Sequence, residues 1–378
     1  MKIVEVCPYD MQRPGGVQAH IRDLAAWLET QGHEVMIIAP PAANNGENPG
    51  VRVLGSAREI NFQGTRFEIC RANRREMDAL ADELRDWGAD VVHLHTPWTP
   101  MLPWQVWRKT GLPAVATFHA TLPEDRKSSL ANRVLYRVAG FFMARMGAVI
   151  VPSVSPLRQL EKIRAARALQ VLPPSVDLSP WRDAAQGVEK SSDAAVNLLF
   201  LGRLEARKGV EVLLAAWGEI AEALPDTTLT IAGNGALEAE VLAHIAAAGD
   251  GRLRYVPAPD PEAARALMAQ ADIFVAPSIY GESFGIVLIE AMAAQAVPVA
   301  AANSGYATVL TGQGADLLVP PKDTRALAAK IIALANDPAA REKLRHWGAA
   351  HAARFDIAST GPQFETIFRD VAGQSHAD

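Results

Sequence analysis

Short apolar runs of strand length alternate with helical stretches along the whole chain, and that alternation leaves few folds open. The first series of strand-like runs falls at 3–7, 35–38, 91–94, 114–118 and 148–151. A second series runs through 196–201, 229–232, 253–256, 273–276, 297–300 and 317–319. Helical stretches lie between them, one over roughly 17–31 with an apolar face at Ile21, Leu24, Ala25 and Leu28. Near-continuous apolar strands joined by helices predict parallel sheets covered on both faces. The two series are separated by a stretch rich in Pro, Ser and Asp, including Pro173, Pro174 and Pro180, which reads as a linker. A chain of 378 residues favours two domains over one. The expected organisation is an N-terminal Rossmann-like domain over 1–172, a linker over 173–193 and a C-terminal Rossmann-like domain over 194–357. A last helix within 358–378 is expected to cross back to the first domain. Ligands of open α/β sheets bind at the carboxyl ends of the strands, so the two domains are expected to face each other across a cleft.

Composition narrows the partners. A formal net charge of −5 gives no ground for a nucleic-acid partner. Cys7 and Cys70 read as buried thiols, which suits a reducing compartment, and no second ligand lies at metal spacing from either. The chain enters a strand at once, with no secretory pattern, so a cytoplasmic protein is expected. No uncharged run reaches the roughly 18 residues of a membrane span. The nearest approach, 138–154, is interrupted by Arg145.

The densest motif is Glu282-Ser283-Phe284-Gly285-Ile286-Val287-Leu288-Ile289-Glu290, which follows an apolar strand. A glycine-bearing loop then opens a helix near Gly285, and the unpaired N–H groups of a helix start make an anion site. Carboxylates before and inside that helix can grip hydroxyls on either side of a diphosphate. Gly202-Arg203 and Lys208-Gly209 follow the first strand of the second series; Arg as a fork and Lys as a point charge suit a pyrophosphate, and a solvated charged turn is the plain alternative. Gly233-Asn234-Gly235 ends the next strand and lines a nucleoside pocket or makes an ordinary turn. In the first series Pro14-Gly15-Gly16-Val17 opens a helix, where paired glycines permit close approach of a phosphate and positive φ. It is not the GxGxxG fingerprint of a nicotinamide enzyme. His119 closes an apolar strand, where it can meet a sugar hydroxyl or a developing charge. His93 and His95 lie on the preceding strand; His93 reads as an ordinary core histidine, and without a third ligand the pair supports no metal site.

Residues 122–145 mix Arg126, Lys127, Arg133, Arg137 and Arg145 with Leu122, Phe141, Phe142 and Met143, and Arg71, Arg74 and Arg75 form a smaller basic group. A basic, aromatic helical segment can lie on an anionic membrane face; an amphipathic helix with a solvated face is the alternative.

Taken in order, these residues resemble the family 4 retaining glycosyltransferases of the GT-B fold, nearly end to end. The segments from Cys7 to His20 and from Gly281 to Leu288 are most similar to bacterial phosphatidylinositol mannosyltransferases. The resemblance implies that Arg203 and Lys208 hold the donor diphosphate and stabilise it as it leaves. Glu282 would bind hydroxyls of the transferred sugar, Glu290 those of the ribose. Ser283, Phe284, Gly285 and Ile286 would offer backbone N–H groups, Gly202, Gly233 and Gly235 would line the donor, Gly15 and Gly16 would floor the diphosphate, and His119 would contact the sugar. It further implies no bound metal and no cofactor, with the cations in the metal's place, and reaction on one face of the sugar with the leaving phosphate helping to deprotonate the acceptor. The chain departs from the family pattern at Gln12, Pro174-Ser175, Pro257, Pro259 and Gln295, which leaves acceptor and base open.

The resulting expectation is transfer of a mannosyl or glucosyl group from a nucleoside diphosphate sugar, with GDP-mannose ahead of UDP-glucose. The acceptor is expected to be a lipid or lipid-linked glycan in envelope or polysaccharide assembly, with peripheral membrane contact through 122–145 and 71–75. A GT-B sugar-nucleotide epimerase and a non-catalytic glycan-binding protein are the rival readings.

Overall fold

Runs of Val, Ile, Leu and Ala place apolar side chains on both faces of a strand, and two sheets are built from such runs. The structure is a computed structural model that describes every residue except 14, 43–47, 63–64, 98–100, 120–129, 161–168, 194, 250 and 375–378. The chain divides into two units, residues 1–176 with 357–378, and residues 177–356.

The first unit contains β1 (Lys2–Val6), β2 (Glu34–Ala39), β3 (Val51–Val53), β4 (Ser56–Phe62), β5 (Thr65–Arg71), β6 (Val91–His95), β7 (Ala114–Thr117), β8 (Ala148–Val151) and β9 (Leu169–Val171). Seven of these form one sheet in the order β3-β2-β1-β6-β7-β8-β9, parallel throughout. The chain grows outward from β1 to β3 and then returns to lay β6 against the other side of β1. That reversal makes the β1/β6 boundary a topological switch point, where open α/β sheets bind ligands. Strands β4 and β5 form a separate antiparallel hairpin. Its charged, mixed composition gave no strand signal in the sequence.

Helix Gly16–Thr30 buries Ile21, Leu24 and Leu28. The last helix, Ile357–Gln374, belongs to this unit, where Phe364, Phe368 and Val371 share a core cluster with Ile3, Leu24, Leu28 and Val91. Full burial of each phenylalanine contributes about 1.5–3 kcal/mol to holding it there. Cys7 and Cys70 are buried thiols in no disulfide, and Cys70 Sγ donates to the Leu54 carbonyl at 3.3 Å.

The second unit contains β10 (Asn197–Leu201), β11 (Thr228–Gly233), β12 (Leu253–Pro257), β13 (Ile273–Ala276), β14 (Val297–Ala301) and β15 (Leu318–Val319). They form a parallel sheet in the order β12-β11-β10-β13-β14-β15, so the same reversal occurs at the β10/β13 boundary.

The stretch expected as a linker differs from that expectation. Residues 177–193 belong to the second unit and include helix Ser179–Ala185. Pro180 lies in the first turn of that helix, where a missing N–H costs nothing and the fixed φ favours the helix start. Lys190 is anchored as well, donating to the carbonyls of Ala269, Ala271 and Ala294.

Candidate functional site

In the second unit, the loops after β10 and β13 meet at the switch point. Ile279 N–H donates to the Arg207 carbonyl at 2.8 Å and ties one loop to the other. That strap brings together side chains far apart in sequence. Lys208 Nζ donates to Glu282 Oε1 at 2.7 Å and Arg207 Nη1 reaches the same oxygen at 3.3 Å. Arg207 Nε meets Glu205 Oε2 at 3.0 Å, and Arg203 Nη1 meets Glu205 Oε1 at 2.7 Å. The result is a half-buried row of ion pairs, Arg203–Glu205–Arg207–Glu282–Lys208. Burial opposes the charge on Glu282. The Lys208 and Arg207 cations and hydrogen bonds from Lys208 and Ser278 outweigh it, so the carboxyl stays below the usual glutamate range.

A buried support lies behind Glu282. Ser278 Oγ and Tyr306 Oη are 3.0 Å apart, Asn303 Nδ2 donates to the Ser278 carbonyl at 2.9 Å, and Tyr306 N–H donates to Asn303 Oδ1 at 2.9 Å. Burial, with the Glu282 charge next, pushes the Tyr306 hydroxyl well above the usual phenol range. Tyr306 therefore keeps its proton beside Ser278 and the Glu282 carboxylate.

Helix Ile286–Ala293 begins immediately after the loop, capped by Gly285 at φ 117° and ψ 55°. A Cβ at Gly285 would lie 2.6 Å from Tyr306 Cδ1, so both the dihedral and the space call for glycine. Glu290 lies one turn into this helix and is partly exposed, as is Ser283 before it. The Phe284 ring is buried, edge-on to Phe355 with centroids 5.4 Å apart, so Phe284 has only its backbone to offer a ligand. On the neighbouring strand end, Gly233 (φ 140°) lets β11 pass close to the Gly202 carbonyl, which a Cβ would approach to 1.9 Å. Gly235 packs in the same way on Leu204. The glycine-rich strand ends thus serve close backbone packing.

In the first unit, Gly15 is extended (φ 177°) and Gly16 opens the helix. The expected positive φ is absent there; what Gly15 provides is room, since a Cβ on it would lie 2.6 Å from Gln18 Oε1. Pro14, and Leu122, Arg126 and Lys127 of the basic stretch, lie outside the described residues.

The switch point of the first unit holds a group that sequence reasoning left as separate histidines. Glu5, in the middle of β1, is fully buried with His93 and His95. Glu5 Oε2 is 2.9 Å from His93 Nδ1 and 2.6 Å from His95 Nε2. His95 Nδ1 is 2.7 Å from His119 Nε2, and His93 Nε2 is 2.7 Å from Thr117 Oγ1. His20, from helix Gly16–Thr30, has Nδ1 2.9 Å from the Ser175 backbone nitrogen and 3.2 Å from its carbonyl oxygen, and its ring centroid lies 5.4 Å from that of His119. Contrary to the sequence expectation, third groups are present: Glu5 joins both His93 and His95, and His20 and His119 join His95. Burial, then the charges of the other histidines, holds His95 and His119 well below the usual imidazole range and His20 at about 4, so all three are neutral at pH 7.

Arg207, Glu205, Tyr306, Asn303, Glu5 and His20 were not singled out from the sequence. Only Glu5 carried a local signal, as a charge inside an otherwise apolar strand.

Two family models match the chain: Glycosyltransferase Family 4 over residues 14–180 and Glycosyl transferases group 1 over residues 183–351. The chain is 31% identical to a phosphatidyl-myo-inositol mannosyltransferase of Mycolicibacterium smegmatis, covering 99% of this chain and 95% of that protein. It is 29% identical to a glycogen synthase of Mycobacterium tuberculosis, over 87% and 84% of the two chains. Among solved structures, sucrose-phosphate synthase from Thermosynechococcus elongatus superposes with a TM-score of 0.75 at 22% identity, covering 99% of each chain.

Proposed function

The chain belongs to the family 4 glycosyltransferases of the GT-B fold, and on that premise we propose that it moves a hexosyl group from a nucleoside diphosphate sugar to a hydroxyl of a lipid or lipid-linked glycan, with retention of configuration. The observation that carries the assignment is Glu282, held as a carboxylate by Lys208 and Arg207 at a helix start beside a switch point. The cations and the helix N-terminus suit a diphosphate, and the carboxylate suits the hydroxyls of the sugar beside it.

In this reading Arg203 and Lys208 bind the diphosphate. Lys208 exchanges part of its contact with Glu282 for a phosphate oxygen and stabilises the charge that grows as the sugar C1–O bond breaks. Glu282 accepts from hydroxyls of the hexosyl group, and Glu290 from those of the ribose. Ser283, Phe284, Gly285 and Ile286 present backbone N–H groups, Gly202, Gly233 and Gly235 shape the donor side, and Gly15 and Gly16 lie under the diphosphate. His119 accepts a sugar hydroxyl. The acceptor oxygen bonds to C1 on the face the diphosphate leaves, and its proton passes to the departing phosphate oxygen. The cations do at the diphosphate what a metal would, so no resident metal or cofactor enters the scheme.

A mannosyl group comes first because full-length relatives are named as mannosyltransferases, and a glucosyl group second because another relative is a glycogen synthase. GDP-mannose is the leading donor and UDP-glucose the next. The enzyme works at the cytoplasmic face of a membrane in envelope or polysaccharide assembly, touching the surface through the helix Leu130–Met143.

A panel of GDP- and UDP-sugars followed by thermal unfolding tests the donor. The right one at a hundred times its Kd adds about 2.7 kcal/mol. Incubation of that donor with the enzyme alone is then expected to release free sugar slowly. Formation of the isomeric nucleotide sugar would make the protein an epimerase, and stabilisation without any turnover would make it a binding protein.

A further inference from the structure

A carboxyl group buried in a sheet must find hydrogen-bond partners for its oxygens, and Glu5 finds them in His93 and His95. Side chains two apart on a strand share a face, so His93 and His95 of β6 point the same way. The parallel register sets Glu5 opposite His93, and His95 opposite Thr117 at the end of β7, two residues before His119. The contacts form a row from the interior outward: Glu5 Oε2, His95 Nε2 at 2.6 Å, then His95 Nδ1 and His119 Nε2 at 2.7 Å. Glu5, His93 and His95 are fully buried, and His119 at the end of the row is partly exposed.

We propose that Glu5 and His95 are positioning residues that lock His119 in its Nε2–H tautomer, leaving Nδ1 as a bare acceptor for a hydroxyl of the transferred sugar. The role of that acceptor rests on the function proposed above; the lock itself does not. The proton count fixes the direction. Glu5 Oε2 lies within hydrogen-bond reach of both rings, and with that oxygen accepting, His95 donates from Nε2 and keeps a lone pair on Nδ1. That lone pair accepts the His119 Nε2–H, and His119 Nδ1 carries no proton. A parallel branch closes the count: His93 donates from Nδ1 to Glu5 at 2.9 Å and accepts from the Thr117 hydroxyl on Nε2 at 2.7 Å. His20 uses Nδ1 on the Ser175 backbone, and its Nε2, buried without a hydrogen-bond partner, lies beside the row, the three rings of His20, His95 and His119 having nitrogens within 4.8 Å of one another.

Neutral rings are needed, since a protonated His119 would turn its acceptor into a donor. Burial and the neighbouring histidines supply that condition. Distance separates the row from a metal site built on the same rings. Two nitrogens on one tetrahedral zinc at ~2.05 Å lie about 3.3 Å apart. His95 Nδ1 and His119 Nε2, at 2.7 Å, are at hydrogen-bond separation.

The experiment is multiple-bond ¹H–¹⁵N correlation of the histidine side chains in the full chain at pH 7.5, with His119 assigned by loss of its signals in His119→Gln. The expected pattern is Nδ1–H for His93 and Nε2–H for both His95 and His119. In His95→Phe the His119 signals are expected to move toward a mixture of tautomers. Transfer kcat should then fall about tenfold, the worth of one hydrogen bond, with a smaller change in donor KM. The acid limb of its pH–rate profile should move toward neutrality as His119 becomes free to protonate. A wild-type His119 protonated on Nδ1 overturns the proposal, whether or not His95→Phe folds. So does an unshifted acid limb in a folded His95→Phe, or a tetrahedral cobalt(II) spectrum that disappears in His20→Ala. Absence of any sugar transfer with the expected tautomers would sink the functional reading and leave the lock standing.

Discussion

Glu282 has two loads on a single charge: it neutralises Lys208 and Arg207 in the free protein and, in the proposed reaction, accepts from the sugar. The two can be separated by Glu282→Gln. The amide keeps the shape but no longer competes for the cations. Transfer is expected to fall by about 10²–10³, the cost of removing one preorganised electrostatic contact. A nucleoside diphosphate alone should bind as well as before or more tightly, because Lys208 and Arg207 are freed for phosphate. Steady-state kinetics and calorimetry with the diphosphate report the two effects. Weaker diphosphate binding with an unchanged rate would place Glu282 in structural support instead. Arg203, Lys208 and Glu282 were legible in the sequence because each follows an apolar strand, which fixes its end of the sheet. Arg207 was not, since beside Lys208 it looks like one more charge in a solvated turn. His20 could not be read at all: its partner Ser175 is 155 residues away and only the folded core brings them together.

At the scale of elements, the glycines at strand ends divide by what surrounds them. Gly233 sits at φ 140°, and a Cβ there would overlap the Gly202 carbonyl oxygen at 1.9 Å. Neither the dihedral nor a backbone atom can give way cheaply, so Gly233→Ala is expected to cost at least about 3 kcal/mol and to weaken donor binding by moving the β10 and β11 loops together. Gly202 is the control on the same pair of loops. A Cβ at Gly202 meets nothing nearer than Phe200 Cζ at 3.8 Å, so Gly202→Ala should stay within about 0.5 kcal/mol of the wild-type stability. Thermal unfolding of the two variants side by side makes the comparison, and equal losses would show that the close approach is not what the glycine serves. The sequence marked all of these glycines alike, as turn or ligand-approach residues. What separates them is a carbonyl from another strand, which local spacing does not reveal.

For the molecule as a whole, the alternation of strands and helices carried the architecture. It placed both parallel sheets, because strands buried on two faces leave a run of apolar residues that solvated turns do not. It missed the β4–β5 hairpin, whose alternating charges resemble a loop, and it read Pro180 as a break where the fold uses it to start a helix. No helix among the described residues is long and apolar enough to cross a membrane. The first unit presents a surface whose chemistry suits membrane contact. Val134 and Phe141 on the helix Leu130–Met143 are 51% and 36% exposed, with Trp104 38% exposed beside them. Met101, Trp104, Val138 and Phe142 line the same groove of about 440 Å³, with Arg137. Arg145 lies 3.9 Å over the Phe141 ring and Arg108 5.5 Å over that of Trp104, so cations flank the apolar residues. Aromatic residues set among cations suit the headgroup boundary of an anionic bilayer. The full chain is expected to sediment with vesicles of phosphatidylglycerol and phosphatidylcholine, and less with phosphatidylcholine alone. Val134→Asp with Phe141→Asp should weaken partitioning at least about tenfold, from the loss of one buried aromatic contact. Arg137→Glu should act mainly at low salt, where surface charge is least screened. Equal binding to neutral vesicles, or no effect of the paired aspartates in a folded protein, would remove the membrane from the reading and leave that groove as a solvated helix face.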